Sequence, residues 1–119
     1  MIVIEVHDDE LLGSLARQAA ELGVTDAAIV SLIGAADSFA LSTMPENDPA
    51  KDVLTDFAVP AQMSGTGEII NGTIHIHATM AVEGYLGLSG HLHRAEIGTW
   101  LARVYVLPVR PSGATQCGL

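Results

Sequence analysis

Four of the five histidines in this 119-residue chain fall between positions 75 and 93. Imidazole is the side chain best suited to hold a transition metal or to move a proton near neutral pH. In Thr73-Ile74-His75-Ile76-His77-Ala78-Thr79-Met80-Ala81-Val82, apolar and polar residues alternate. Successive strand side chains point to opposite faces, so Ile74, Ile76, Ala78, Met80 and Val82 take one face and Thr73, His75, His77, Thr79 and Ala81 the other. The Cα atoms of His75 and His77 are then about 6.6 Å apart, close enough for both rings to reach one ion. Gly90-His91-Leu92-His93 supplies more imidazoles, and the 13 residues between His77 and His91 allow a hairpin through Gly84. The same spacing also suits a plain polar strand face with no ligand.

Other chemistry is sparse. Cys117 is the single cysteine, which excludes an internal disulfide and a Cys-x-x-Cys motif, and it reads as an incidental exposed thiol. No Gly-x-Ser-x-Gly elbow, Walker loop or His-Glu-x-x-His is present. Ser64-Gly65-Thr66-Gly67-Glu68 lacks the lysine of a phosphate cradle and reads as a turn with tight backbone packing. Glu68 and Glu83 are carboxylates that could serve as general bases, but no catalytic residue can be assigned from them. His7 reads as a surface or capping residue, Phe39 and Phe57 as core, and Trp100 and Tyr105 as core or subunit contact.

The elements that must position these groups follow from periodicity. Ile2 to Val6 alternates as a short strand. A helix over 9–22 is predicted next, with Asp8 or Asp9 as cap, Leu11, Leu12, Leu15, Ala19 and Leu22 at helical spacing, and Gly23 as the stop. Val24 to Leu41 reads as a long buried strand bent at Gly34, a buried helix being the alternative. Pro45, Asn47, Asp48 and Pro49 make 44–50 a loop. Strand patterning returns at 52–63, 73–82, 85–92 and 97–107. One helix and about six strands give an α+β domain: a mostly antiparallel β-sheet with an N-terminal helix packed on it. The domain spans residues 1–109, and 110–119 reads as a loose C-terminal tail.

Fourteen acids against five bases give a formal net charge of -9. Eleven of the acids precede residue 65, facing only Arg17 and Lys51 there, while Glu68, Glu83 and Glu96 are balanced by Arg94, Arg103 and Arg110. A nucleic-acid surface draws its affinity from clustered Lys and Arg, so direct binding to duplex DNA is not expected. No apolar run reaches the 20 or so residues of a membrane span. Met1 to Val6 has no basic start of a secretory signal, so the chain is expected in the cytoplasm, away from membranes.

Taken in order, Ser64-Gly65-Thr66-Gly67-Glu68-Ile69, His75-Ile76-His77-Ala78, Ser89-Gly90-His91-Leu92 and the strand from Gly98 to Leu107 resemble the plant and prokaryote conserved (PPC) domain. Gly23 to Ala35 resembles that family's first long strand. The resemblance covers Ile2 to Val109, with Ser89 where the family commonly has glycine and with His93 added. It implies the same α+β fold and a homotrimer. Plant members carry the domain beside AT-hook segments, and prokaryotic single-domain members are called predicted DNA-binding proteins by that association. No Arg-Gly-Arg-Pro core occurs here. Some prokaryotic members bind metal, and carrying their motif over makes His75, His77 and His91 the ligands of zinc or another divalent metal, with His93 a lesser candidate. Three roles remain open: a regulatory or interaction module with a metal site, a metal-dependent enzyme acting on a small molecule, and a metal-stabilised assembly without chemistry.

Overall fold

The computed structural model describes residues 1–110, and the tail beyond them, with Cys117, lies outside the described residues. The chain runs β1 (Ile2–Glu10), α1 (Leu11–Glu21), β2 (Ala27–Ala36), β3 (Ser38–Thr43), β4 (Val53–Phe57), β5 (Ala61–Ile70), β6 (Thr73–Val82) and β7 (Leu86–Pro108). All the strands form one antiparallel sheet in the order β2-β5-β6-β7-β3-β4, with β1 on β7. The 23-residue strand β7 organises it. Its first part pairs with β6 and β3, and its second part pairs with β1 and β2. Because β2 also pairs with β5, and β5 with β6, the sheet closes on itself through β7. The fold is the expected α+β architecture.

The inward side chains build one core that includes Ile29, Leu32, Phe39, Ile69, Ile76, Met80, Leu92, Ile97 and Val104. Helix α1 closes it with Leu11, Leu15 and Ala19, all buried. The helix begins two residues later than the sequence suggests. Asp8 adopts φ 48° where β1 is offset against β7, so neither it nor Asp9 caps. Glu10 caps instead: its carboxylate accepts from Leu12 N at 3.0 Å and Gly13 N at 2.8 Å, and also from Ala95 N of β7 at 3.0 Å. Gly23 at φ 74° ends the helix, with its N–H donating to the Ala20 carbonyl.

Three further strand expectations are corrected. The break in 24–41 falls at Asp37, not at Gly34, because the Asp37 N–H donates to Glu96 O while its carboxylate accepts from Thr99 N at 3.1 Å. The predicted strand over 52–63 is two strands, parted at 58–60 around Pro60. The two predicted strands 85–92 and 97–107 are one. Inward residues shift from Leu92 to Ala95 because β7 holds an extra residue, His93, between the partners of Ala40 and Leu41. A second shift occurs where Gly98, Thr99 and Trp100 have no partner on β1, which turns Trp100 outward at 70% exposure. Trp100 is therefore not core, whereas Phe39 is buried and stacks on Phe57 at 5.1 Å.

Ser64 to Glu68 is not a turn. It lies inside β5, paired with β6 on one side, and the actual turn is Asn71-Gly72, with φ 53° and 78°. The tight backbone packing expected there is present: a Cβ at Gly65 would sit 2.5 Å from His77 O, and one at Gly67 would collide with His75 O. Gly67→Ala should therefore cost about 3 kcal/mol of stability, since backbone cannot yield as a flexible side chain does. Gly72→Ala, with open space around it, should cost only the left-handed backbone term of about 1–2 kcal/mol. Urea unfolding of the two variants checks the ranking, and an equal or reversed order would refute it.

Candidate metal centre

Strand β6 alternates as read: Ile76, Ala78 and Met80 are buried, while His75, His77 and Thr79 are exposed. The three-residue turn at 83–85 brings β7 back alongside in a register that sets His77 against His91. Strand β5 flanks the other side, with Thr66 opposite His77 and Glu68 opposite His75. Cross-strand partners share a face, so one outer patch gathers His75, His77 and His91 with Thr66 and Glu68.

The rings touch. His77 Nε2 and His75 Nε2 are 3.2 Å apart, against about 3.3 Å for two imidazole nitrogens on a tetrahedral zinc ion with bonds of 2.0–2.1 Å. Ring centroids are separated by 4.9 Å for His75–His77, 4.5 Å for His75–His91 and 5.9 Å for His77–His91. Two rings sharing a tetrahedral ion would stand about 5.2 Å apart, so the donor set and its spacing fit a first-row divalent metal. The nitrogens are not yet aimed together: among the described residues no three His, Cys, Asp or Glu side chains form a ready donor group.

His93 is placed differently. Its ring lies 4.2 Å from that of His91, and its Nε2 is hydrogen-bonded to Ser42 Oγ at 2.7 Å. Ser42 was not evident in the sequence, though a hydroxyl closing the apolar run Phe39-Ala40-Leu41 was a signal to find it. Glu83 lies in the β6–β7 turn, six residues beyond His77 or about 20 Å along the strand, and is not part of the patch. The Thr79 hydroxyl is engaged with Ser89 Oγ at 2.8 Å. His7 is an exposed strand residue, 3.4 Å from Glu5 Oε1.

Beside the histidines opens a cleft of about 830 Å³, lined by His77, His91, Asp52 and the hydroxyl residues Ser31, Thr43 and Thr66, among others, and by no Lys or Arg. Three of the arginines lie elsewhere and are paired. Arg103 binds Glu5 at 2.6 Å, Arg17 binds Asp9 at 2.9 Å, and Arg94 binds Asp56 at 3.2 Å. The Arg103 guanidinium holds the Glu5 carboxyl below its usual range.

A sequence model of the Plants and Prokaryotes Conserved (PCC) domain, the same domain as PPC, matches residues 1–109. The chain belongs to the PCC domain family. Solved structures agree in fold. A "Putative DNA-binding protein" from Ralstonia eutropha superposes with TM-score 0.78 at 21% identity over 92% of this chain and 78% of that one. A PPC protein of Pyrococcus horikoshii gives 0.79 at 16%, over 92% and 78%. A metal-containing protein of Archaeoglobus fulgidus gives 0.71 at 22%, over 92% and 79%. No curated protein matches the chain. Among the described residues of this PCC domain, no helix is long and apolar enough to cross a membrane.

Packing leaves one titration signature. Burial pushes the His91 pKa below the usual imidazole value, helped by the charges of His93, His75 and His77 and opposed by Asp52. A histidine with a lower pKa folded than unfolded binds its proton better in the unfolded chain. Its contribution to stability is therefore complete above the unfolded value near 6.5 and is lost as pH falls below it. The metal-free protein should have a lower urea midpoint at about pH 5.5 than at about pH 7.5, and His91→Gln should narrow that difference. An unchanged pH dependence in the variant would count against this account.

Proposed function

We propose that this PCC domain is a homotrimeric, cytoplasmic regulatory or interaction module. It holds a divalent metal, most readily zinc, on His75, His77 and His91, and does not itself contact DNA. The observation that carries the metal reading is the His77–His91 cross-strand pair beside the 3.2 Å contact between His75 and His77. Neutral imidazoles suit zinc, copper, nickel and iron, and with no thiolate in the patch, availability selects among them. When bound, the metal would supply Lewis acidity or a structural clamp. The protein's own contribution is to hold three rings on a rigid two-strand platform.

Charge supports the absence of direct DNA contact. The net charge is -9, and Arg17, Arg94 and Arg103 are each committed to a carboxylate, so few cations remain to displace counterions from phosphates. Self-association is supported by the outward side chains of Ile33 at 57% and Trp100 at 70% exposure, which line neighbouring clefts on the closed sheet. The cleft beside the histidines favours a second reading, in which a small molecule binds there next to the metal and the domain is a metal-dependent enzyme.

Calorimetric zinc titration tests the metal reading. The wild type should bind one zinc per subunit, more weakly as pH drops below about 6.5. His77→Ala should abolish retention while leaving the thermal unfolding transition in place, because His77 lies outside the core. Equal zinc binding by the two proteins would remove the site. For the remaining claims, sedimentation should show a trimer at micromolar concentration, and mobility-shift assays at about 150 mM salt should show no sub-micromolar DNA binding. A monomer, or a tight DNA complex, would overturn the corresponding claim.

A further inference from the structure

Among the described residues Ser42 and Ser14 are the two buried polar side chains of the fold, and Ser42 is only 2% exposed. Its hydroxyl reaches across from β3 to His93 Nε2 at 2.7 Å. His93 is the extra residue of the bulge that offsets β7 against β3, and bulges re-aim side chains next to functional sites. The ring so aimed lies 4.2 Å from His91, whose other ring neighbours are His75 at 4.5 Å and His77 at 5.9 Å. Ser42 is the cross-strand partner of His91, and its hydroxyl also holds the ring that packs on that ligand. Ligation is not assigned to His93, because its Nε2 is engaged by the Ser42 hydroxyl at 2.7 Å.

We propose that Ser42 is a positioning residue for the imidazole patch. Its hydroxyl fixes the His93 ring, and His93 backs His91 so that the latter is restricted to orientations facing His75 and His77. This inference rests on the metal reading above. Ligand rings held by outer hydrogen-bonded partners bind metal about 10–100-fold more tightly than the same rings left free. Here the holding group acts through a neighbouring ring tilted by 37° and not by a direct hydrogen bond to the ligand ring. The His93–Ser42 bond also fixes which His93 nitrogen faces the hydroxyl.

Cobalt titration of the full chain, followed by its visible absorption, tests this. Ser42→Ala and His93→Ala should each weaken cobalt binding about tenfold and alter the ligand-field bands, because His91 then samples more orientations. The double variant should be no weaker than either single one, since the two residues act as one unit. Thermal unfolding serves as the fold control, and His93→Ala carries the test if Ser42→Ala does not fold, because the His93 side chain is exposed. Wild-type affinity and bands in both single variants would overturn the inference while leaving the metal site intact. Additive losses in the double variant would likewise overturn it. A wild type that takes up no cobalt would overturn the metal reading and, with it, this one.

Discussion

Backbone hydrogen bonding along both edges of β7 is the constraint on which the rest of the structure depends. A strand of 23 residues that pairs with β6, β3, β1 and β2 in turn cannot keep one flat phase, because closing a sheet demands bends and bulges. The two offsets in β7 are where those bends occur. One places His93 against Ser42, and the other pushes Trp100 out of the sheet beside Asp37. Both features that distinguish the surface therefore follow from one closure requirement. The Glu10 carboxylate ties the helix into the same arrangement by capping α1 and accepting from Ala95 N of β7.

The imidazole patch inherits its rigidity from this closure. His77 is paired on both edges, with β5 and β7, while His75 is paired with β5, and the β5 backbone is held close by Gly65 and Gly67, where a larger residue would meet the carbonyls of the two histidines. An edge strand would let the rings drift. At His77 the backbone cannot shift without opening the closed sheet, so the freedom left to that ring lies in its side-chain torsions.

The histidine patch was legible because it depends on period-two alternation and on a short hairpin, both local properties of the sequence. The fold class was legible for the same reason, since strand patterning and the helix end at Gly23 are local signals. The misreadings share a different cause. Glycines weaken a strand interior, so Ser64 to Glu68 looked like a turn, and the neighbours that require glycine there, the His77 and His75 carbonyls, lie on β6 beyond the next turn. The bulge at His93 inverted the apolar phase and made one strand resemble two. Ser42 showed only a hydroxyl closing an apolar run, and its pairing was not legible because the partner is 51 positions distant. Likewise, Glu10 was passed over as a cap because its second task, accepting from Ala95, is a tertiary contact.

Charge and patch are best understood together. The acids outnumber the bases by nine, and the field of such a surface attracts cations and repels polyanions before any specific contact is made. An imidazole patch without Lys or Arg in its cleft adds no local positive potential to oppose that field while its rings are neutral. In the proposed reading, the long-range field and the short-range donor set favour the same class of ligand, a small cation, and disfavour the same class, a nucleic-acid backbone. An amino-terminal half carrying all the net negative charge, folded around a carboxyl-terminal half carrying the imidazoles, keeps the two terms apart in sequence while closure of the sheet through β7 brings them onto one domain.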